Sequence, residues 1–184
     1  MIELRDLHPE DEARLFAWRC EPEIGRWMSD ADISGREAHR SWFDRLRSDP
    51  DLRGWMIERT GQPAGLLTLT GLSGHHRRAA WNWFIGDREA RGRGAGRAAQ
   101  VLGLDRAFGD LGLHKVWAEV MADNDAAMKV QIAAGFRREG YLRGHVLKDG
   151  APRDVVMLGI LAEEWAVLAP KARLELVESG LIAG

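Results

Sequence analysis

A chain of 184 residues, 45% apolar and 29% charged, has the balance of a soluble globular domain and the length for one proper core. A net charge of −2 excludes bulk affinity for nucleic acid, and no stretch is long or apolar enough to span a membrane. The acidic start, Met1 to Glu12, lacks the apolar centre of a signal peptide, and Cys20 is the only cysteine, so an intrachain disulfide is ruled out and the cytoplasm is the expected location.

Ile2 to Leu7 reads as a short strand. His8-Pro9-Glu10-Asp11 opens a helix that runs to Cys20, with proline in the first turn and acids at the positive end. Glu21-Pro22-Glu23 breaks it, and Ile24, Trp27 and Met28 follow in an irregular stretch. Ser34-Gly35-Arg36-Glu37 fits a capping box and starts a helix through Trp42, Phe43 and Leu46. Trp55 to Glu58 and Ala64 to Leu72 read as a hairpin around Thr60-Gly61-Gln62-Pro63. Ala79 to Gly86 is a third strand, antiparallel to the second.

Arg91-Gly92-Arg93-Gly94-Ala95-Gly96 follows, and a helix leaves it with Val101, Leu104, Phe108 and Leu111 at steps of three and four, an inward stripe. Gly112 stops that helix. Lys115 to Val120 is a strand, and Asp123-Asn124-Asp125 caps a short helix, Ala126 to Ala134, closed by Gly135. Phe136 to Leu147 and Arg153 to Leu161 form a hairpin turned by Asp149-Gly150. Glu163 to Glu178 is a last helix, kinked or divided by Pro170. The order predicts an α+β fold, a mostly antiparallel sheet with helices on both faces.

A strand, a glycine loop and a helix start together present free backbone N–H groups to an anion. The glycines admit phosphate oxygens close to the main chain, and Arg88, Arg91, Arg93 and Arg97 add charged donors, so the simplest ligand is a pyrophosphate. The Gly-Lys-Ser/Thr ending of a P-loop is missing. Gly94-Ala95-Gly96-Arg97-Ala98-Ala99 spells a relaxed dinucleotide fingerprint, but it falls mid-chain and outside an alternating βαβ series, which makes a dinucleotide oxidoreductase the weakest reading.

Arg91 to Gly96, followed by Asn124-x-x-Ala127 and Gly135-Phe136, resembles the coenzyme A loop and the downstream motif of the GNAT superfamily of N-acetyltransferases. The resemblance covers residues 1–165 and leaves 166–184 as a C-terminal helical extension. It implies a sheet splayed at its centre, acetyl-coenzyme A as co-substrate and no metal. Phe84, Ile85 and Gly86 would line the pantetheine arm; Arg91, Gly92, Arg93, Gly94, Ala95, Gly96 and Arg97 would hold the pyrophosphate; Asn124 and Ala127 would meet the arm from the next helix. A main-chain N–H near Phe84 or Ile85 would polarise the thioester carbonyl.

Within that superfamily, Phe16-x-Trp18-Arg19-x-x-Pro22-Glu23-Ile24-x-x-Trp27-Met28 is similar to enzymes that acetylate a UDP-linked 4-amino sugar in pseudaminic acid synthesis, and the stretch from Leu113 to Trp165 to a branch that also holds ribosomal-protein alanine acetyltransferases. The expected partner is therefore a small nucleotide-linked amino sugar, with neither nucleic acid nor membrane. Trp18, Arg19, Arg26 and Trp27 are its candidate binding residues. N-terminal protein acetylation and a non-catalytic coenzyme A-binding module are the rivals.

The chain departs from the family at two places. Gln131 stands where many members carry the tyrosine acid, and Ala80 where many carry a glutamate. Glu119, His145 and Tyr141 are the candidate replacements for proton transfer. Leu168, Leu174, Leu176 and Val177 in the extension either pack on the domain or pair with a second chain as a homodimer.

Overall fold

The computed structural model describes residues 1–28 and 35–184. Seven strands form one sheet in the order β1-β2-β3-β4-β5-β7-β6, where β1 is Ile2–Asp6, β2 Leu52–Arg59, β3 Gln62–Thr70, β4 Arg78–Ile85, β5 Lys115–Met121, β6 Arg137–Lys148 and β7 Ala151–Leu161. Helices α1 (Asp11–Arg19), α2 (Pro22–Gly25) and α3 (Arg36–Ser48) precede β2; α4 (Ala95–Asp105) links β4 to β5, α5 (Asp125–Ala133) links β5 to β6, and α6 (Ala162–Glu178) follows β7. The Ser34 of the expected capping box lies outside the described residues, and Gly35 is the residue preceding α3.

Every neighbouring pair in the sheet is antiparallel except β4 with β5. That parallel pair holds only over Arg78–Ala80 against Lys115–Trp117. Beyond it, β4 stays bonded to β3 as far as Ile85, and β5 stays bonded to β7 as far as Met121. The sheet therefore opens into a V whose arms are the second halves of β4 and β5, the splay the resemblance implied.

Two cores flank the sheet. On one face Leu67, Trp81, Val116, Leu158 and Ile160 pack with Leu104 of α4, Met128 of α5 and Leu176 of α6. On the other, Met56 and Leu66 pack with Leu15, Trp18, Phe43 and Leu46 of α1 and α3. Adjacent residues on β2 and β3 divide between the cores, as period-two alternation requires, and near-continuous burial follows because both faces are covered. Each fully buried Leu, Ile or Phe contributes roughly 1.5–3 kcal/mol.

Three sequence expectations are corrected. The stretch after Glu21 contains the single turn α2, begun by Pro22 at a position where its missing N–H costs nothing. The helix after the glycine loop ends in a π-helical turn, Arg106–Asp110; its wider winding buries Ala107 and leaves Leu111 on the surface. Pro170 lies within a continuous α6 and does not divide it. The expected boundary at 165/166 falls inside α6, and the residues after it bury Ala169, Leu176 and Ile182 in the larger core. The Ile2 N–H donates to the Leu181 carbonyl at 2.6 Å, tying the end of the chain to β1. Leu168, Leu174 and Val177 remain exposed, with Leu176 turned inward.

Candidate active site

The V opens onto two adjoining cavities. The larger, of about 570 Å³, lies between β4, β5, the glycine loop and α5. The smaller, of about 180 Å³, lies between α1, α3 and strands β3 to β7. Asn82 and Trp83 on β4, with Glu119 and Met121 on β5, line both.

Ladder alternation decides which main-chain groups face the opening. The Gly86 N–H donates to the Ala64 carbonyl at 2.8 Å, and the Phe84 carbonyl points at Gly65, so both belong to the β3 side. The Ile85 carbonyl faces the other way and accepts the Arg91 Nε–H at 2.9 Å. Trp83 and Ile85 therefore turn main-chain groups toward the open edge beyond the β5 pairing, where an extended ligand can add as a strand. Of the two residues considered for the oxyanion N–H, Ile85 has that geometry and Phe84 does not.

The loop between β4 and α4 is built for an anion. Gly92 and Gly94 adopt positive φ, 71° and 84°. The first helical bond runs from the Ala98 N–H to the Gly94 carbonyl, so the Ala95, Gly96 and Arg97 N–H groups precede the helical ladder. Gly94 has no room for a Cβ, which would stand 2.6 Å from the Leu181 side chain. Gly92, Gly94, Gly96, Arg91 and Arg97 line the larger cavity with Phe84, Ile85, Asn124 and Ala127. Gly86, Arg93 and Ala95 do not line it: Gly86 lies under the Trp18 ring, Arg93 is exposed and Ala95 is in the core.

Arg91 and Arg97 of the loop have protein partners. Arg91 donates through Nη2 to the Gly86 carbonyl at 3.0 Å and through Nη1 to Glu23 at 2.6 Å. Arg97 pairs with Glu175 of α6. Arg91 thus braces the turn after β4, while the main chain supplies the uncommitted donors. Asn124 caps α5, its Oδ1 accepting the Ala127 N–H at 3.1 Å.

The smaller cavity has aromatic walls in Trp27, Trp42, Trp83 and Phe84, with Thr68 and Thr70 on β3 and Val146 and Val155 on the last hairpin. Arg19 reaches it with its guanidinium stacked 4.0 Å from the Trp42 ring centre. The hairpin end is latched across it by Lys148, whose Nζ donates to the Gly25 carbonyl at 2.7 Å. Trp18 is placed elsewhere: it is buried beneath Gly86 and edge-on to Phe84, supporting the cavity wall from behind. Arg26 lies on the Trp27 ring at 4.5 Å and lines neither cavity.

Of the three proton-transfer candidates, Glu119 stands where the cavities meet. His145 lines neither, but its Nε2 is 3.8 Å from Glu119 Oε1. Tyr141 is not brought to the site. It pairs with Val156, which pairs with Val120, whereas Glu119 pairs with Met157, so alternation sends Tyr141 and Glu119 to opposite faces. Its hydroxyl donates to Asp154 at 2.5 Å, and that carboxylate pushes the phenol above its ordinary range, which makes it a weaker acid.

Sequence reading missed Asn82, Thr68, Thr70, Val146 and Val155. Asn82 alone left a trace, as the one polar residue inside an apolar strand. Among the described residues no group of three or more His, Cys, Asp or Glu is placed to hold a metal, and no helix is long and apolar enough to cross a membrane.

Residues 2–137 match the sequence profile of the acetyltransferase (GNAT) domain. The chain is 25% identical over 164 residues to the spermidine N(1)-acetyltransferase of Escherichia coli K12, covering 89% of this chain and 88% of that protein. It is 28% identical to the uncharacterized N-acetyltransferase YoaA of Bacillus subtilis, covering 86% and 92%. The fold is similar to that of the spermidine N-acetyltransferase of Vibrio cholerae crystallised with CoA and spermine, with a TM-score of 0.83, 23% identity and coverage of 90% and 98%.

Proposed function

Since the chain belongs to the GNAT family of acetyltransferases and is an acetyl-coenzyme A-dependent N-acetyltransferase, we propose that it acetylates the 4-amino group of a UDP-linked 4-amino-4,6-dideoxy sugar. The observation carrying this reading is the make-up of the smaller cavity. It joins four aromatic side chains to one cation, Arg19, and its one carboxylate among the described residues is Glu119. Aromatic faces suit a sugar or a nucleobase, and a guanidinium suits a phosphate. A polyamine carries several positive charges and calls for several carboxylates.

The activated acetyl thioester is what acetyl-coenzyme A supplies. We assign the rest to the chain's own groups. The glycine-loop N–H groups hold the pyrophosphate, the open edge of β4 holds the arm, and the Ile85 N–H polarises the carbonyl and stabilises the oxyanion. Glu119 accepts the proton of the attacking amine, directly or through a water, with His145 beside it to orient or relay. The C–N bond forms, the C–S bond breaks, and the thiolate leaves to be protonated by solvent. Placing the reactants in adjoining cavities supplies the proximity term.

A polyamine acceptor is the second reading, favoured by the relatives named spermidine N-acetyltransferase. Coenzyme A release with mass detection of product separates the two. Turnover on the nucleotide sugar, with spermidine and an alanine-ended peptide inert, is the expected result. Turnover on spermidine or the peptide alone overturns the sugar assignment.

A further inference from the structure

Past the last β4–β5 pair, Ala80 with Trp117, each arm of the V runs on to a polar side chain, Asn82 on β4 and Glu119 on β5. At the usual strand rise both lie about 7 Å beyond the fork, level with each other on the two arms. Both line both cavities. Asn82 is exposed between buried Trp81 and half-buried Trp83, and among the described residues its carboxamide has no hydrogen-bond partner. Asparagine is a poor strand former, and this one gains nothing from side-chain bonds within the protein. Its place at the junction of the cavities gives it a use toward a molecule that enters them.

We propose that Asn82 positions the attacking amine, its Oδ1 accepting one N–H of the acceptor nitrogen while Glu119 takes the proton that must leave. An amine that arrives as ammonium carries three N–H bonds. Transfer of one proton to Glu119 frees the lone pair, and a second N–H stays on Asn82 and holds the nitrogen toward the thioester carbon while the C–N bond forms. A carboxamide suits this place better than a carboxylate. It accepts the same hydrogen bond but carries no charge, so it does not join Glu119 in holding the amine as unreactive ammonium.

The remaining charged or titratable groups around the two cavities are engaged elsewhere. Glu23 pairs with Arg91, Arg97 pairs with Glu175, Arg19 stacks on Trp42, and His145 meets the site only beside Glu119. The proposal rests on acetyl transfer with Glu119 as proton acceptor, and it holds for whichever amine is the acceptor.

The test measures kcat and KM across pH on the full chain, beside coenzyme A affinity by calorimetry. The acceptor is whichever the unaltered chain turns over among the UDP-linked 4-amino sugar, spermidine and the alanine-ended peptide. Asn82→Leu keeps the shape and removes the acceptor oxygen. It is expected to lower kcat/KM about tenfold or more at every pH and to leave coenzyme A affinity unchanged. Asn82→Asp restores an acceptor oxygen together with a charge. It is expected to recover activity at alkaline pH, with the acid limb of kcat moved up by about one pH unit, because the added carboxylate stabilises the bound ammonium. Unchanged kcat/KM in Asn82→Leu overturns the proposal, as does a parallel loss of coenzyme A affinity, the sign that Asn82 shapes the larger cavity instead. So does Asn82→Asp if its profile matches that of Asn82→Leu at every pH. If the unaltered chain binds coenzyme A but acetylates none of the three amines, the acetyl-transfer reading falls and this one falls with it.

Discussion

The two cavities share a wall but are assembled differently. The larger draws mainly on two compact stretches of chain, from Trp81 to Arg97 and from Glu119 to Gln131. The smaller draws single residues from far apart: Arg19, Trp42, Thr68, Asn82, Glu119, Val146 and Val155. A phosphate-bearing ligand common to a whole family can be held by main-chain groups, whose geometry a short glycine motif specifies. A particular acceptor must be recognised by side chains, and those come from whichever elements the fold brings together. The larger cavity is therefore legible as a motif, and the smaller only as a set of contacts.

The shared wall offers the sharpest test of this division. Glu119→Gln is expected to lower kcat by about 10²-fold or more, the usual worth of a positioned proton acceptor, while coenzyme A affinity measured by calorimetry stays unchanged. A parallel fall in that affinity would mean that Glu119 shapes the donor cavity rather than serving the reaction.

Leu176→Ala tests whether the end of the chain supports the donor side. Leu176 is fully buried, and its carbonyl receives the Leu181 N–H at 2.9 Å, just before Leu181 packs on Gly94. A loss of about 2–5 kcal/mol in urea unfolding is expected. A surface-like effect below about 0.5 kcal/mol would restore the view of residues 166–184 as a separate extension.

Gly94→Val should act on one side only. The positive φ and the contact with Leu181 are expected to cost about 1–3 kcal/mol of stability. With the loop displaced, KM for acetyl-coenzyme A should rise and KM for the acceptor should hold. The mirror experiment is Trp42→Leu, expected to raise the acceptor KM several-fold through lost aromatic contact while sparing acetyl-coenzyme A. If either variant moves both constants together, the cavities are not independent.

The smallest effect is one of pH. His39 is fully enclosed between Phe16 and Trp42, with Nε2 3.1 Å from the Glu12 carbonyl oxygen, and burial holds its imidazole below the ordinary histidine range. The unfolded chain therefore binds a proton more readily than the folded one. Stability should fall as pH drops below about 6.5, until the folded histidine itself titrates. His39→Gln should flatten that slope in denaturant melts taken between pH 5 and 7. An unchanged slope would assign the acid sensitivity to other groups.

Much of the architecture was readable from local pattern. Hairpin signals around Thr60-Gly61-Gln62-Pro63 placed β2 and β3, an apolar run placed β4, Asp149-Gly150 placed the last hairpin, and Arg91 to Gly96 placed the glycine loop, because each rests on constraints acting within a few residues. The failures are tertiary. Pro170 was expected to kink or divide a helix that packing on the larger core keeps continuous. Tyr141 looked suitable as an acid by type, but strand alternation counted through β7 puts it on the wrong face. Trp18 looked like an acceptor contact and became a support beneath Gly86.

The sequence by itself determined an α+β acetyltransferase fold and the glycine loop between β4 and α4, since periodicity, turn chemistry and glycine placement are local properties of the chain. Only the tertiary structure decided that β4 and β5 part after Ala80 and Trp117, that Glu119 stands between the two cavities, and which residues wall the smaller one. Those outcomes depend on register and packing between segments far apart in the chain, and no single segment encodes them.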